Sequence, residues 1–414
     1  MTDRRTRAPR TTRDPYGIAP VAQYVWPAVA AVGLVVIAIV SLGLINGQLP
    51  FVRTTTPNGA GGGDGGGNTA TAAPSNVVVV PTQLTFPGSI AYAKAGNIWL
   101  QTSTGAQQLT DGGSDSMPAW SPDGQWVYFI RVVEGRGKFP NGGGGSRTWY
   151  DLETPNLMRI KPDGSGLQRL LSGRFQVGSS TWFFWMREPT PSPDGRSIVV
   201  VTDGPNPLQS DIVLKSFDLT THRLTSLNLP ESNGLGHQDP AWRSDGRLLL
   251  YVRNGREGSK GVPEIDRYDT STRRATPFTT AGYLAPAYSP DGRFVAATKT
   301  GSFGTDVVLL DAFGKEILSI TNDGHSFSPV WSPVGDSVAF LHLQGTIVDL
   351  KLAQLDASSG QWTVTKTIDL TKVSGLDGAS RPSWFVPASQ MPAPTIPPAS
   401  TGSAAPASSG SSAP

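Results

Sequence analysis

A short phrase of apolar, aromatic and turn-forming residues recurs along the middle of the chain. It consists of a proline, a small residue, an aromatic residue, a Ser-Pro-Asp-Gly turn and a run of apolar residues. Full or slightly altered copies begin at Pro118, Pro189, Pro240, Pro286 and Pro329. A shortened copy, PSWFVP, begins at Pro382. The regular return of this pattern predicts a repeat protein in which each copy belongs to a separate structural unit.

Each part of the phrase has a structural role. In the turn, Pro presets φ, Asp caps the backbone and Gly takes the position with positive φ. The β-branched and aromatic residues that follow are typical of a strand buried on both faces. The aromatic residue before the turn has the bulk to fill the gap between neighbouring sheets. The positions assigned to this structural repeat are Trp120, Asp123, Gly124, Asp194, Gly195, Trp242, Asp245, Gly246, Tyr288, Asp291, Gly292, Trp331, Gly335 and Trp384.

A second phrase, an apolar strand followed by a turn and a short strand, comes after each copy, as in residues 211–225 and 306–321. Each unit therefore holds about four short strands, a pattern that predicts a β-propeller. The first unit, from Ile90, lacks a Pro-aromatic strand, and residues 382–385 supply such a strand at the end of the array. We expect the two to complete one sheet and close the ring. The predicted fold is an all-β, six-bladed β-propeller over residues 77–387.

These phrases resemble the TolB family of Tol-system propellers and the wider group of WD-like propeller repeats, whose hallmark is Trp-Ser-Pro-Asp-Gly. The resemblance covers nearly all of residues 86–387. It implies the propeller fold and leaves the function open, because one fold carries many functions. Members of the TolB family are exported and carry a separate α/β domain before the propeller. Here an apolar segment and a Gly-rich segment precede the repeats instead.

The first part of the chain predicts a membrane anchor. No charged residue occurs between Asp14 and Arg53, and Val25 to Ile45 forms an apolar stretch about as long as a helix needs to cross a bilayer. The Arg-rich residues before it predict a cytoplasmic N-terminus with the repeats outside the cytoplasm. A cleaved signal peptide is the alternative; its apolar region is normally shorter. The predicted domains are a basic leader (1–23), a transmembrane anchor (24–46) and a flexible Gly-rich linker (47–76).

Composition narrows the class further. The Pro/Ala/Ser-rich residues 388–414 are uncharged and predict a disordered tail. The chain has no cysteine, which excludes disulfides and thiol chemistry. Its net charge of +2 comes from the Arg-rich leader, so the propeller lies near neutrality and nucleic acid is not an expected partner.

The sequence contains no recognisable catalytic arrangement. There is no Gly-x-Ser-x-Gly elbow, and the four histidines form no His-x-His or His-x-x-x-His pair. We therefore expect no enzyme activity, no cofactor and no metal. The alternative is an envelope polysaccharide lyase or hydrolase that uses charged residues of the channel rim, in particular His237, Asp239 and His325.

The residues just before each Pro-aromatic strand are the predicted binding site. The first strand of a blade lines the central channel, so we expect these residues to ring one mouth of it. They vary between copies, unlike the structural phrase, and an ordinary solvated rim is the alternative. The predicted ligand-binding residues are Asp115, Arg187, His237, Asp239, Tyr283, His325 and Arg381. The expected partner is an envelope protein, a peptide or a cell-envelope polymer.

Two further segments are candidates for contact with a partner. The insertion 134–155 contains four consecutive glycines and two neighbouring aromatic residues, which predicts either a mobile arm or a disordered loop. The aromatic run 182–185 predicts either a buried strand or an exposed patch.

Overall fold

The computed structural model describes residues 86–137, 150–205, 212–227, 229–230, 236–254 and 263–392. The predicted leader, anchor and linker, the first residues assigned to the propeller (77–85), the tip of the 134–155 insertion and the tail from residue 393 lie outside these residues. Within the described part, no helix has both the length and the apolar character needed to cross a membrane.

The described chain forms six four-stranded antiparallel sheets, which we call blades 1 to 6. Blade 1 contains, in spatial order, β26 (Ser383–Phe385), β1 (Ser89–Lys94), β2 (Asn97–Thr102) and β3 (Gly105–Gln108). Blade 2 contains β4 (Asp115–Trp120), β5 (Val127–Gly137), β6 (Tyr150–Ile160) and β7 (Gln168–Ser172). Blade 3 contains β10 (Met186–Pro191), β11 (Ser197–Thr202), β12 (Val213–Asp218) and β13 (Leu224–Ser226).

The remaining blades follow the same plan. Blade 4 contains β14 (His237–Trp242), β15 (Leu248–Arg253), β16 (Glu264–Asp269) and β17 (Arg274–Pro277). Blade 5 contains β18 (Tyr283–Tyr288), β19 (Val295–Gly301), β20 (Gly304–Leu310) and β21 (Glu316–Ser319). Blade 6 contains β22 (Ser326–Trp331), β23 (Ser337–Gln344), β24 (Ile347–Asp356) and β25 (Thr363–Asp369). A separate hairpin, β8 (Arg174–Val177) and β9 (Ser180–Phe183), lies between blades 2 and 3 in the chain.

The blades form a closed ring, as predicted. A cluster of buried apolar side chains lies between each pair of successive sheets, including blades 6 and 1. The second strand of each blade packs on both neighbours, so it is apolar on both faces; in β11, Ile198 to Val201 are all fully buried. The Pro-aromatic strands β26, β4, β10, β14, β18 and β22 are innermost and contact one another around the channel.

Blade 1 is completed by the C-terminal strand, which confirms the predicted closure. Trp384 pairs with Ile90, and its indole N–H donates to the Pro87 carbonyl at 2.9 Å. The Trp384 ring also packs edge-to-face against Phe86, 5.7 Å between centroids. The chain stays ordered past the predicted boundary at residue 387, because Ala388–Gln390 form a 3-10 helix and the Gln390 amide oxygen accepts the Gly88 N–H.

The Ser-Pro-Asp-Gly segments form the predicted turns, between the first and second strands of their blades. In blade 2, the Ser121 hydroxyl donates to Asp123 at 2.6 Å and accepts the Trp126 N–H at 2.9 Å. Asp123 also accepts the Gln125 N–H, and the turn is held at both ends. We call the side of the ring that carries these turns the turn face; the turns are 121–124, 192–195, 243–246, 289–292 and 332–335.

The 134–155 insertion is partly regular. Both of its described ends continue the strands β5 and β6, which form a hairpin that is longer than those of the other blades. The hairpin β8–β9 packs beside it, with the Arg174 guanidinium against Gly135. In the aromatic run after β8, Trp182, Phe183 and Phe184 are buried and Trp185 is 43% exposed.

Candidate functional site

A β-bulge interrupts five of the innermost strands at the same position, directly before the proline. The bulged residue has a φ between +48° and +55° although it is not glycine. Such a left-handed conformation costs about 1–3 kcal/mol, so the surrounding contacts must hold it in place. The five residues are Met117, Glu188, Asp239, Ala285 and Ser328.

The bulge turns each of these backbone N–H groups toward a side chain of the preceding blade. The contacts are Met117 N–H to Ser380 Oγ (3.0 Å), Glu188 N–H to Met117 Sδ (3.3 Å), Asp239 N–H to Glu188 Oε2 (2.6 Å), Ala285 N–H to Asp239 Oδ2 (3.0 Å) and Ser328 N–H to Thr298 Oγ1 (2.9 Å). Hydrogen bonds therefore link neighbouring blades around the channel. The carboxylates of Glu188 and Asp239 are part of this ring of contacts.

Arg381 reaches across the channel. Its guanidinium donates to the Pro240 carbonyl at 2.8 Å in blade 4 and to the Pro286 carbonyl at 3.1 Å in blade 5, although Arg381 itself lies two positions before the closing strand of blade 1. Burial raises the pKa of the Glu188 carboxyl above its ordinary value; Arg187 and Arg381 oppose this rise, while the neighbouring Asp239 adds to it. The centre of the ring thus holds opposite charges in a confined space.

A cavity of about 540 Å³ opens at the turn face and reaches inward to the bulges. Its inner end carries Glu188, Asp239 and Arg381. Its walls are made of the residues that define the repeat. They are the strand prolines Pro118, Pro189, Pro240, Pro286, Pro329 and Pro382, the aromatic residues Trp120, Trp242, Tyr288, Trp331 and Trp384, and the turn prolines Pro122, Pro193, Pro290 and Pro333.

Two of the seven predicted binding residues, Asp239 and Arg381, therefore lie at the cavity. Arg187 lies one position before the bulge, where its Nε is 3.2 Å from Glu188 Oε1. The other four lie at the start of their strands or before them, toward the opposite face of the ring, and do not line the cavity.

Those four residues make separate local contacts. Asp115 is buried and forms an ion pair with Arg131, with Nε and Oδ1 2.5 Å apart. His237 is also buried, and its Nε2 lies 2.9 Å from the Pro230 carbonyl oxygen. The Tyr283 hydroxyl donates to Glu316 at 3.0 Å. Asp115 and His237, which the sequence places at the channel mouth, are both buried at the start of their strands.

His325 stands apart from the other predicted rim residues. Its ring lies 6.5 Å from that of His342, which in turn approaches the Asp323 carboxylate at 3.4 Å. Among the described residues, no group of three or more His, Asp or Glu side chains is placed to hold a metal ion. The three residues named for the polysaccharide-cleaving alternative have different neighbours: the His237 ring lies against the Pro230 carbonyl, Asp239 accepts the Ala285 N–H, and the His325 ring lies near that of His342.

The repeat pattern predicts only a folding role for these residues. The same prolines and aromatic rings that define the blades also face the cavity. The signal was present in the sequence, because residues that recur on every innermost strand must meet around the axis.

Comparison with known proteins gives few sequence relatives. No protein-family model matches the chain. An uncharacterized protein of Agrobacterium fabrum is 29% identical over 154 residues, which is 35% of this chain and 42% of that protein. The match thus spans less than half of the relative's length.

Solved structures resemble the chain more widely. TolB from Acinetobacter baumannii superposes with a TM-score of 0.51 at 17% identity, over 72% of this chain and 66% of that one. A putative TolB from Agrobacterium tumefaciens gives a TM-score of 0.48 at 17% identity, over 72% of this chain and 93% of that one. An oligogalacturonate lyase in complex with manganese is more distant, with a TM-score of 0.38 at 14% identity, over 68% of this chain and 73% of that one. The fold is a TolB-like six-bladed propeller.

Proposed function

We propose that the protein is a membrane-anchored binding module whose propeller, outside the cytoplasm, takes a peptide segment of a cell-envelope protein into the cavity at the turn face. It acts as a scaffold and not as an enzyme. The anchor and the extracytoplasmic location rest on the uncharged apolar segment 24–46 and the Arg-rich residues before it.

The observation that carries the binding role is the composition of the cavity. A concave site of about 540 Å³ with apolar walls and a few convergent polar groups is the usual form of a ligand site. Rings of proline, tryptophan and tyrosine contact aliphatic and proline side chains of an extended peptide. The charged inner end, formed by Glu188, Asp239 and Arg381, fixes the orientation of a polar group at the peptide's tip.

Access to this cavity is the property to test. Ser244 is exposed at its mouth, so Ser244→Trp narrows the opening with a bulky side chain. Ser359 is also an exposed serine, on the outer hairpin of blade 6, and Ser359→Trp is the matched control. Each full-length protein, solubilised from membranes, is used to capture partners from an envelope extract after cross-linking, and captured proteins are quantified by mass spectrometry.

A partner held in the cavity should be recovered with the wild type and with Ser359→Trp. Its recovery should fall at least about tenfold with Ser244→Trp, because the indole obstructs entry; tenfold corresponds to about 1.4 kcal/mol of binding free energy. A synthetic peptide from the cross-linked segment of that partner should compete. Equal recovery by both variants would show that the partner binds elsewhere, and no saturable partner at all would contradict the binding role.

A further inference from the structure

A second concave site lies at the turn-face end of blade 4, where it faces blade 5. It is a crevice of about 390 Å³, separate from the central cavity. Its lining residues are Arg243, Arg247, Leu248, Arg267, Asp269, Thr272, Arg274 and Thr276. Four arginines therefore converge on a single groove in a domain that is otherwise close to neutral.

Blade 4 departs from the repeat at this place. The other full turns begin with Ser-Pro, whereas blade 4 has Arg243 and Ser244. The Arg243 guanidinium donates two hydrogen bonds to the Asp245 carboxylate, at 3.0 and 2.6 Å, and replaces the serine cap of the other turns. Its stem lies against the next turn, since a Cβ on Gly292 would be 2.7 Å from Arg243 Cδ. Arg243 is thus fixed at the boundary between the two blades.

Arg267 and Arg274 supply uncompensated positive charge. Arg267 is paired across the sheet with Leu250, on the face that packs against blade 5, and its guanidinium lies 5.9 Å from the Phe278 ring centre. Arg274 is exposed at the start of β17. Among the described residues, neither arginine forms an ion pair with a carboxylate.

The corresponding positions in the other blades do not reproduce this arrangement. The position equivalent to Arg267 is occupied by Leu100 in blade 1, Arg159 in blade 2, Ser216 in blade 3, Leu309 in blade 5 and Leu352 in blade 6. The Arg159 guanidinium is stacked 4.1 Å from the Trp126 ring centre and bonded to Gln168, so its contacts are already made. The arginine-lined crevice is therefore a feature of blade 4 and not a product of the repeat.

The carboxylates at the crevice are already engaged. Asp245 bonds to Arg243, and Asp269 lies 3.2 Å from Arg247 and accepts a hydrogen bond from the Ser271 hydroxyl. That hydroxyl bond is the largest cause of the low pKa of the Asp269 carboxyl, which keeps it ionised at neutral pH. Four arginines against these two carboxylates leave a net charge of +2 in and around the crevice.

We propose that this crevice binds a phosphomonoester group, held by Arg267 and Arg274 with Arg247 at the rim. A phosphomonoester carries a charge of about −1.5 to −2 at neutral pH, which matches the excess. The planar guanidinium fork gives bidentate hydrogen bonds to phosphate oxygens. Thr272 and Thr276 add hydroxyl groups at the wall, and the volume accommodates a small organic group beside the phosphate. This site is independent of the peptide cavity.

Binding to the full-length protein is measured by isothermal titration calorimetry at low ionic strength with inorganic phosphate, glycerol 3-phosphate and dioctanoyl phosphatidic acid. The test variant is R267Q/R274Q. The matched control is R196Q/R223Q, which removes two exposed arginines from the turn-face end of blade 3. There the Asp218 N–H donates to the Arg223 carbonyl, and in blade 4 Asp269 is paired with Arg274. Circular dichroism melting checks the fold of both, and R274Q alone is a milder variant of an exposed residue.

The wild type and the control should bind glycerol 3-phosphate or dioctanoyl phosphatidic acid. Relative to the wild type, R267Q/R274Q should bind at least about tenfold more weakly, and R274Q at least about threefold more weakly. If the wild type prefers glycerol 3-phosphate, the ligand is a soluble phosphomonoester. If it prefers the short-chain lipid, the ligand is the headgroup of a membrane lipid. Equal losses of affinity in the test and control variants would mean that only the net charge matters, and would overturn the proposal. Unchanged affinity of both R274Q and R267Q/R274Q would overturn it as well.

Discussion

At the residue scale, Arg381 joins parts of the ring that lie far apart in the chain. It precedes the closing strand by two positions, yet its hydrogen bonds reach blades 4 and 5. A guanidinium suits this role because its fork offers several donors in fixed directions while its charge offsets nearby carboxylates. Glu188 and Asp239, which accept backbone N–H groups at the same depth, provide that negative charge. Arg381 therefore serves both as a tie across the channel and as the inner end of the cavity.

Replacing Arg381 tests this tie. Arg381→Ala removes two charge-assisted hydrogen bonds and one of the cations near Glu188, which keeps only Arg187. The free energy of unfolding should therefore fall by about 2–4 kcal/mol. Arg381→Lys keeps the charge without the fork and should lose about 1–2 kcal/mol. Urea unfolding followed by tryptophan fluorescence measures both. Losses below about 0.5 kcal/mol in both variants would mean that the carbonyl contacts contribute little.

At the element scale, the turns differ in what surrounds them although their backbones are alike. Gly124 in blade 2 has a φ of +69° and Gly195 in blade 3 a φ of +68°. A Cβ on Gly124 would lie 2.1 Å from the Phe385 ring, whereas a Cβ on Gly195 would meet nothing within 4 Å. The Phe385 ring is itself held against Trp120, 5.3 Å between centroids. The blade 2 turn is thus packed on the closing strand.

The two glycines form a matched pair for measurement. Gly195→Ala should cost about 1–2 kcal/mol of unfolding free energy, since alanine disfavours positive φ. Gly124→Ala has the same cost of placing alanine at a positive φ. It must also displace the Phe385 ring, which lowers the free energy of unfolding by about 1–3 kcal/mol more. Chemical denaturation of the two variants gives the difference directly. Equal losses would show that the Phe385 ring moves away freely.

The sequence predicts these elements well where local chemistry decides them. The Ser-Pro-Asp-Gly turns, the buried second strands and the joining of residues 382–385 to the first unit follow from turn propensity and apolar runs. The bulges do not, because Met117, Glu188 and Ala285 have no local preference for a positive φ. Their conformation depends on acceptors supplied by the neighbouring blade, which are distant in sequence.

The predicted binding site shows the same limit. The sequence identified the variable residues before each innermost strand, and the structure brings Asp239 and Arg381 to the cavity while Asp115 and His237 are buried. The strand starts lie toward the face opposite the turns, whereas the cavity opens at the turn face. The face at which a concave site forms depends on how six blades pack together, and no single strand encodes it.

At the scale of the whole molecule, stability depends on closing the ring. Each blade has two neighbours, and β26 adds Trp384 to the apolar core that blade 1 shares with blade 6. Three residue pairs join β26 to β1, and Trp384, Phe86 and the Gly88–Gln390 hydrogen bond reinforce this short interface. Losing contacts at this interface exposes apolar surface on two blades at once, whereas losing contacts at an outer strand affects only that part of its own blade.

This difference leads to a prediction for Trp384. Trp384→Ala should lower the free energy of unfolding by about 3–5 kcal/mol and reduce hydrogen-exchange protection of the amides in β1 before those in the other second strands. Trp384→Phe keeps most of the packing and removes the hydrogen bond to the Pro87 carbonyl, so its loss should be about 1 kcal/mol, and this variant remains folded for comparison. Trp362→Ala, at the half-buried outer edge of blade 6, should cost about 1–2 kcal/mol without changing exchange in β1. If Trp384→Ala and Trp362→Ala lost similar stability and left β1 equally protected, the ring would be held by the six interblade cores and not by its closing strand.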